Sequence, residues 1–510
     1  MTTDFQLPAI DYQAISPLLI LFGVACLGVL VEAFVPRPAR RRVQLGMALV
    51  GVLAALGAVV LLAGTNVVTA GGSVTVDGPA LFMQGALLAF GVVALLLIGE
   101  RRVEPGGAFV AQPAITVGSE ADQRQASAPG ATEVFPLAMF SLGGMALFIA
   151  ASDLLTMFIA LELLSLPLYL MCALARRHRL ISQEAAVKYF LLGAYASGFF
   201  LFGVVLAYGY AGSVDLAAIH AAVDTSQMNP ALLYAALALI VMGLLFKTAA
   251  APFHVWAPDV YQGAPTPITA FMAACTKVAA FGALLRVTYV AFERLAWDWL
   301  PVIGVIAVLT MLVGAVLAVT QTDLKRLLAY SSIANAGFVL VGVLAVGRTG
   351  ASSAMFYLVA YGFAVLGAFA VISLVRDREG ETTHLSRWAG LGRRSPLVAG
   401  VFTVVMLALA GIPLTGGFTA KFAVFSAALE VGEGWLVIAG VVSSVIIAFP
   451  YLRVVVMMWL SEPSESTATM VAPGLLTGTA LGIGALAVVG LGVVPGPVLD
   501  LAHDAALFLR

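Results

Sequence analysis

The chain has 510 residues, of which 61% are hydrophobic and only 10% are charged, and its formal net charge is −1. An ordinary soluble domain has about 25% charged residues, so this composition excludes a soluble globular protein and indicates a chain that crosses a membrane many times. The neutral charge balance offers no basic surface for nucleic acid. Three cysteines stand alone in apolar runs without a CxxC spacing, which argues against an iron–sulfur or zinc site in this chain.

Fourteen apolar runs of about 20 residues predict fourteen transmembrane helices and an all-α polytopic fold. The fourth and fifth runs are separated only by Ser152 and Asp153, and the ninth and tenth meet at residues 320–323, so a wrong count would arise there first. Asp153 and Asp259 are expected to mark span ends. In chain order the runs cover residues 15–36, 43–64, 79–99, 135–151, 153–175, 184–208, 230–254, 263–287, 299–320, 324–346, 351–375, 396–428, 433–459 and 472–495.

Basic residues concentrate in every second connection between the spans. Positive charges stay on the cytoplasmic side of a membrane. The connections after odd-numbered spans are therefore predicted to be cytoplasmic, with both termini on the outer (periplasmic) side of the cell (inner) membrane. The pattern includes Arg41, Arg101, Arg124, Arg177, Arg378 and Arg393 on the odd side and Arg286, Arg294 and Arg348 on the even side.

Two polar segments between spans have distinct compositions. Residues 100–133 are rich in Gly, Ala, Pro and acids, which favours a flexible, disordered cytoplasmic loop or a docking surface. Residues 211–229 (AGSVDLAAIHAAVDTSQMN) combine apolar and polar side chains and are predicted to form a short amphipathic helix on the outer face.

The seventh and twelfth spans are interrupted midway. Pro252 lies inside GLLFKTAAAPFHVWAP, and Pro413 lies between Gly411 and Gly416 in MLALAGIPLTGGFTAKF. Proline removes a backbone donor and clashes with the preceding turn, so both helices are predicted to be discontinuous. The breaks are five spans apart, and an odd number of spans inverts the second copy. Paired broken helices in inverted repeats are typical of ion transporters, with two packing kinks as the alternative.

The predicted organisation therefore has four parts. Residues 1–134 contain three transmembrane helices and the cytoplasmic loop, and residues 461–510 contain the last transmembrane helix. Between them lie two five-helix repeats, at residues 135–290 and 295–460.

All five lysines lie inside apolar spans or at their ends, whereas the arginines occupy mainly the connections. A charged lysine at the bilayer centre costs about 2.5–3.5 kcal/mol, so Lys247, Lys277 and Lys421 are predicted to be proton carriers. Glu162 is alone in the middle of the fifth span, where a carboxylate must be protonated or paired. We expect Glu162 to pair with Lys247, and a purely structural pair is the alternative.

Three further residues have two interpretations each. Lys188 lies one turn inside the sixth span and is either a proton site or a side chain that reaches the cytoplasmic headgroups. Lys325 begins the tenth span and is a relay residue, or else a solvated helix end or a contact with a partner. His254 follows Pro252 and is predicted to line a cavity at the break, since histidine titrates near neutral pH, or else to satisfy the local backbone.

Five stretches carry a family resemblance: DLLTMFIALELLSLPLYLM, EAAVKYFLLGAYASGFFLFG, LLFKTAAAPFHVWAPDVYQGAPTPITAF, TDLKRLLAYSSIANAGF and LAGIPLTGGFTAKF. Together they resemble the antiporter-like membrane subunits of respiratory complex I, a group shared with Mrp-type cation/proton antiporters. The second stretch is most similar to the N-subunit branch. The resemblance implies that Glu162 pairs with Lys247 and that Lys277 continues the path inward. It also implies that Lys421 faces the exit and that His254 lines the path.

The same resemblance implies a proton-translocating subunit of a proton-pumping NADH:quinone oxidoreductase. NADH, FMN, iron–sulfur clusters and quinone would then belong to the complex, with no cofactor in this chain. Antiporter-like neighbours, small membrane subunits and the lipid bilayer would surround it, and nucleic acid would not. One alternative is a subunit of a multi-subunit Mrp-type Na⁺/H⁺ antiporter, which has no redox partner. The other is a structural membrane subunit whose polar axis does not conduct.

Overall fold

The computed structural model describes residues 10–104, 106–116, 119–121, 130–377, 380–463 and 468–509. Arg124 and Arg378 of the predicted charge pattern lie outside these residues. Within them, fourteen helices cross the bundle, and two of the fourteen consist of two halves. The helices are α1 (Ser16–Phe34), α2 (Arg37–Leu61), α3 (Gly78–Ile98), α4 (Val134–Ala150), α5 (Leu154–Cys172), α6 (Arg179–Ala211), α7a (Pro230–Thr248), α7b (Trp256–Gly263), α8 (Thr266–Ala291), α9 (Ala296–Val319), α10 (Leu324–Leu344), α11 (Arg348–Leu374), α12a (Pro396–Ala410), α12b (Gly416–Glu430), α13 (Gly434–Leu460) and α14 (Leu475–Val493).

The predicted all-α polytopic fold is confirmed. Twelve of the helices in the described part of the chain are long and apolar enough to cross a membrane by themselves. The other two crossings are α4, with 17 residues, and α12, whose halves have 15 residues each. A helix of the length of α4 rises about 25 Å, close to the bilayer hydrocarbon thickness of about 30 Å. The two shortest predicted connections, before α5 and before α10, each separate two distinct helices.

Side-chain caps fix the starts of several helices. Asp77, Asp153 and Asp323 each accept a hydrogen bond from the backbone N–H three residues later, at the starts of α3, α5 and α10. Asn229 caps α7a in a similar way. A side-chain oxygen at this position satisfies an N–H that has no partner within the helix. Asp153 therefore marks a span end, as predicted.

The starts of α5 and α10 have the same arrangement. Asp153 forms an isolated antiparallel bridge with Asp215, in the connection after α6, and Asp323 forms the same bridge with His384, in the connection after α11. Each bridge joins the second helix of a five-helix unit to the end of its third helix. Five crossings separate the two bridges, so they lie at opposite ends of the bundle, as inverted repeats require.

An arginine near the end of each five-helix unit supports the same division. Arg286 on α8 donates from Nε to the carbonyl of Ile149, at the end of α4, over 2.9 Å. Arg453 on α13 donates to the carbonyl of Val319, at the end of α9, over 3.0 Å. In both units, the last helix is therefore tied to the first helix by the same kind of contact.

Short elements lie outside the membrane-crossing helices. β1 (Val67–Thr69) and β2 (Val74–Val76) form an antiparallel hairpin before α3. β3 (Val375–Asp377) pairs with both β4 (Gly380–Glu381) and β5 (Thr469–Met470), also antiparallel. The short helix predicted within residues 211–229 is present. The shorter helical segments are Ala70–Gly72, Leu216–Thr225, Glu293–Leu295, Leu385–Trp388, Leu391–Arg394 and Gly496–Ala505.

The predicted disorder of the loop after α3 is wrong for the part of the loop that the structure describes. Arg176 donates to the carbonyl of Gly107 over 2.8 Å, and Arg179 donates to the carbonyl of Pro113 over 2.6 Å. A guanidinium offers five donors, so two arginines in a short connection can hold a loop that has few apolar contacts. Composition alone could not indicate this, because the donors lie about 70 residues away.

Glu100 anchors the start of this loop. Its carboxylate accepts hydrogen bonds from the backbone N–H groups of Arg101 and Arg102, each over 2.8 Å, and from that of Thr477 at the start of α14, over 3.1 Å. Burial raises the pKa of Glu100, but these hydrogen bonds outweigh it and hold the pKa below its usual value. The loop is thus attached at one end to the last helix of the bundle.

Candidate functional site

The break in α7 begins directly after Lys247. Helix α7a ends at Thr248, Ala249 takes the left-handed conformation with φ 60°, and the Ala251–Pro252 peptide is cis. The side chain of Lys247 is buried, and its Nζ makes no hydrogen bond to the described residues. The predicted discontinuity at Pro252 is confirmed, and the lysine beside it has no fixed polar partner.

Aromatic rings surround the ammonium group of Lys247. Its Nζ lies 5.4 Å from the ring centroid of Tyr169 and 5.2 Å from that of Tyr189. Cations within about 6 Å of a ring centroid are attracted by the ring quadrupole. Among the described residues, these rings are therefore the groups that hold the ammonium, and no carbonyl or carboxylate oxygen accepts a hydrogen bond from it.

Glu162 and Lys247 do not form a direct ion pair. The ion pairs within 4.0 Å in the described part of the chain do not include these two residues. Glu162 Oε1 is buried without a hydrogen-bond partner among the residues described. The expected contact between the two side chains is therefore not made, and Lys247 instead lies beside the ring of Tyr169, seven residues after Glu162 on α5.

Lys277 lies in a distorted part of α8. A π-helical turn, Met272–Thr276, directly precedes it, and another, Val287–Ala291, ends the helix. Such turns are frequent at functional sites. Lys277 is buried, donates to the carbonyl of Ser332 on α10, and lies 5.4 Å from the ring centroid of Tyr361 on α11. The lysine thus connects the first five-helix unit to the second.

The break in α12 precedes its lysine, in contrast to the break in α7. Gly411 ends α12a with φ 87°, and Lys421 on α12b donates back to the carbonyl of Ala410 over 3.0 Å. Lys421 Nζ also lies 4.8 Å from the ring centroid of Phe338. The last carbonyls of a helix carry a partial negative charge, so the buried ammonium is stabilised by the end of α12a. The discontinuity predicted around Pro413 is confirmed.

Both breaks reach the surface of the isolated chain. Pro252 and Pro413 are exposed, and His254 is half-buried, with no hydrogen-bond partner for Nδ1 among the described residues. Gly416 packs closely, since a Cβ there would lie 2.9 Å from the Cβ of Leu491 on α14. His254 therefore lies beside the break in α7, at the edge of the bundle. Unwound backbone at membrane depth requires cover from protein or water, so a neighbouring subunit or solvent must complete this region.

Lys188 belongs to a charged network at one end of the bundle. Its Nζ lies 2.7 Å from Glu184 on the same helix and 2.7 Å from Asp259 on α7b. The other carboxylate oxygen of Asp259 lies 2.7 Å from Arg326 on α10. The side chain of Lys188 is 43% exposed, so it is not a buried proton site in the isolated chain. Asp259 lies four residues before the end of α7b and joins three helices at this end of the bundle.

Lys325 is buried, and its interpretation as a solvated helix end is wrong. Its Nζ donates to the carbonyl of Ala264 over 2.7 Å and to Thr266 Oγ1 over 3.2 Å, and it lies 3.9 Å from Glu381. These contacts draw the side chain back into the α7b–α8 link. Lys325 also lines a polar cleft of about 240 Å³ whose walls come from the connections after α3, α5, α9 and α11.

Several buried polar groups between Lys277 and Lys421 were not predicted from the sequence. On α10, Asn335 donates to the carbonyl of Ser331 over 2.8 Å and accepts a hydrogen bond from Tyr357 on α11 over 2.7 Å. Ser331 also shares a hydrogen bond with Tyr451 on α13. Serine, asparagine and tyrosine are uncharged and common in helix interfaces. The sequence marks Ser331 and Asn335 only by their i, i+4 spacing in SSIAN, on one helix face, and it gives no sign of Tyr357 or Tyr451.

A buried ion pair was also missed. Arg286 had been assigned to an even-numbered connection, but it is fully buried inside α8 and contacts both carboxylate oxygens of Asp77, over 2.7 and 3.1 Å. The backbone N–H of Leu509 donates to the same carboxylate over 3.1 Å, and the ring of Phe508 covers the guanidinium. The pairing joins distant parts of the chain, so no local pattern in the sequence could reveal it.

Comparisons with known proteins agree on one family. The family model described as "NADH:quinone oxidoreductase/Mrp antiporter, TM" matches residues 151–447. The chain is 68% identical to the NADH-quinone oxidoreductase subunit N of Salinispora arenicola, with 100% of both chains covered. It is 57% identical to that of Rhodococcus opacus, with 99% of this chain and 97% of the relative covered.

Solved structures share the fold along nearly the whole chain. A chain of respiratory complex I from Thermus thermophilus with bound aureothin matches with a TM-score of 0.77 and 34% identity, covering 96% of this chain and 99% of that one. A chain of the Mrp complex from Dietzia sp. DQ12-45-1b matches with a TM-score of 0.79 and 23% identity, covering 96% and 97%. At that identity, the second likeness shows the fold alone.

Proposed function

The chain belongs to the NADH-quinone oxidoreductase subunit N family and is a proton-pumping membrane subunit of that enzyme, and from this premise we propose the route that protons take through it. The route uses Glu162, Lys247, Lys277 and Lys421 as its main sites. Lys325 provides access from the cytoplasmic side, and Lys188 and His254 lie at the edges of the bundle, where neighbouring subunits complete their surroundings.

The observation that carries this proposal is a set of four lysines buried at the core of the bundle. Lys247, Lys277, Lys325 and Lys421 are 3%, 4%, 4% and 6% exposed. A membrane interior disfavours fixed charge, and lysine, unlike arginine, can exist there as a neutral amine. Such a set is costly for a purely structural subunit and suits one that loads and unloads protons.

The polar cleft at Lys325 is the proposed cytoplasmic inlet. Its walls carry Glu104, His178 and Glu381, which can exchange protons with water. Every connection that forms the cleft follows an odd-numbered helix. The predicted charge bias places these connections in the cytoplasm, and we therefore propose that both termini lie on the outer side of the cell membrane.

Redox chemistry is assigned to partner subunits in this proposal. NADH, FMN, the iron–sulfur clusters and quinone would be bound elsewhere in the complex, whose antiporter-like and small membrane subunits would cover the two exposed breaks. A charge change at that neighbouring surface would alter the interaction between Glu162 and Lys247. We also keep the proposed division into residues 1–134, 135–290, 295–460 and 461–510.

The Mrp-type antiporter subunit is the weaker candidate. Its support is the shared family model and the common fold. The relatives of 57–68% identity all carry the name NADH-quinone oxidoreductase subunit N, and this favours the redox-driven pump.

Lys247→Met and Glu162→Gln in the assembled complex test the route. We expect NADH-driven proton pumping into inverted vesicles to fall about tenfold or more, as for a barrier raised by about 1.4 kcal/mol, while the complex stays assembled. Arg294→Met, which removes an exposed cation that pairs with Asp224, is the matched control and should pump normally. Normal pumping by both test variants would instead support a structural role for the buried charges.

A further inference from the structure

The hydroxyl of Tyr361 is a buried polar group without an evident structural role. Tyr361 is 4% exposed, and its hydroxyl makes no hydrogen bond to the residues that the structure describes. A buried hydroxyl without a hydrogen bond is destabilising, so its presence calls for an explanation. The ring of the same tyrosine lies beside Lys277, with 5.4 Å from Nζ to the centroid.

Tyr361 also contributes to the lining of a small cavity. Its volume is about 10 Å³, and Lys421, Asn335, Tyr357 and Tyr361 contribute to its lining. A buried water needs about 10–15 Å³ of such space and two to four polar partners. The cavity is therefore of the size for a single water molecule, and its polar lining is sufficient to bind one.

The hydrogen bonds around the cavity are oriented. Tyr357 donates to Asn335 Oδ1 over 2.7 Å, and Asn335 Nδ2 donates to the carbonyl of Ser331 over 2.8 Å. The single hydroxyl proton of Tyr357 is thus donated to Asn335. The oxygen of Tyr357 keeps lone pairs that can accept a hydrogen bond from a water. The amide of Asn335 does not ionise, so it fixes the orientation of Tyr357 and carries no charge itself.

We propose that Tyr361 and one ordered water, held by Tyr357 and Asn335, form the link that passes a proton from Lys277 to Lys421. This inference rests on the proposed function. The ammonium of Lys277 gives one proton to the hydroxyl of Tyr361, which releases its own proton to the water. The water in turn releases one proton to the neutral amine of Lys421. Each O–H bond that forms replaces one that breaks, so the net change is one proton moved between the two lysines.

Tyr361→Phe in the assembled complex tests the link, because it removes the hydroxyl and keeps the ring. We expect about a tenfold loss of proton pumping and a larger slowing in D₂O than in the unsubstituted complex, since proton transfer becomes limiting. Tyr289→Phe is the matched control. Its buried hydroxyl donates to the carbonyl of Val343 near the end of α10 and lies outside the link, so pumping and the D₂O effect should be unchanged.

Ala364→Val is a second, independent test, because it fills the cavity without removing any hydrogen bond. It should reproduce the loss and the increased D₂O effect of Tyr361→Phe. Normal pumping by either Tyr361→Phe or Ala364→Val, in assembled complexes, overturns the link. A map of the intact complex that resolves waters and shows none within hydrogen-bond distance of the Tyr361 hydroxyl also overturns it.

Lys277→Met and Lys421→Met separate a failure of this inference from a failure of the proposed function. If the lysine variants lose pumping and the Tyr361 and Ala364 variants do not, the proton passes between the lysines by another path, and the proposed function stands. If the lysine variants pump normally, the proposed function itself is wrong.

Discussion

The arginine near the end of each five-helix unit and the lysine at its break have different partners in the two units. In the first unit, Arg286 contacts the carboxylate of Asp77, and the core that contains Lys247 also contains a buried carboxyl oxygen of Glu162. In the second unit, Arg453 and Lys421 donate to backbone carbonyls, within the part of the chain that the structure describes. Carboxylates therefore accompany these two cations in the first unit, and carbonyls accompany them in the second.

This difference has a consequence for how each unit can respond. A carboxylate can gain or lose a proton, and its effect on a nearby cation changes by a full charge when it does. A backbone carbonyl keeps the same partial charge throughout. The first unit is therefore suited to respond to a change in charge, and the second unit offers Lys421 constant surroundings.

Arg286→Met should have the largest effect on stability and tests the comparison most directly. Removal of the guanidinium leaves Asp77 charged and fully buried, which costs about 3–5 kcal/mol. The equivalent change in the second unit, Arg453→Met, leaves carbonyls and no buried charge, so we expect a cost of about 1 kcal/mol. The amount of assembled complex in membranes, and the denaturant midpoint of the purified complex, measure both effects.

A double variant provides the control. Arg286→Met combined with Asp77→Asn should recover most of the lost stability, because no unpaired charge remains and asparagine still caps α3. Equal losses for Arg286→Met and Arg453→Met would show that the carboxylate does not distinguish the two units.

The breaks themselves provide the second test. The buried N–H of Ala251 donates to Thr310 Oγ1 on α9 over 3.0 Å, whereas the hydroxyl of Thr415 donates locally to the carbonyl of Ile412 over 2.7 Å. We expect Thr310→Val to cost about 1–3 kcal/mol, because it leaves a buried donor unsatisfied, and Thr415→Val about 1 kcal/mol. Denaturant midpoints measure both. A larger loss for Thr415→Val would mean that the second break depends more on its threonine than the contacts indicate.

The residues that end α7a and α12a give the smallest expected effects, with opposite signs. Ala249 and Gly411 both have positive φ, 60° and 87°. Gly411→Ala should cost about 1–2 kcal/mol, since only glycine adopts this conformation freely. The added Cβ would also lie 3.0 Å from Cδ of Lys421. Ala249→Gly removes the same strain but increases the conformational entropy of the unfolded chain. We therefore expect the free energy of unfolding to rise by less than about 1 kcal/mol. Thermal midpoints of the two variants should shift in opposite directions.

The sequence predicted the parts of the molecule that depend on local chemistry. Apolar length located the helices, and Pro252 and Pro413 located the breaks, because these signals act through the nearest turns of backbone. The family resemblance and its N-subunit branch are confirmed by relatives that match along the whole chain. The roles of Glu162, Lys247, Lys277 and Lys421 stay predictions, since geometry places them in the core without measuring protons.

The errors arose where a partner comes from a distant part of the chain. A solvated helix end was one of the interpretations of Lys325, but its side chain is buried and donates to the carbonyl of Ala264, 61 residues earlier. Arg286 was assigned to a connection, but Asp77 holds it in the core. The register of a helix relative to its neighbours decides such contacts, and the apolar pattern of a span that is hydrophobic on all sides does not specify that register.

The pairing of Asp77 with Arg286 also has a consequence for biosynthesis. The two residues are 209 positions apart, and ribosomes add about 5–20 residues per second, so roughly 10–40 s separate the synthesis of the acid from that of its base. Helix α3 therefore enters the membrane with an unpaired carboxylate at its start. It can reach its final position only after all five helices of the first unit have followed. One of the first helices to be made is thus among the last to be fixed in place.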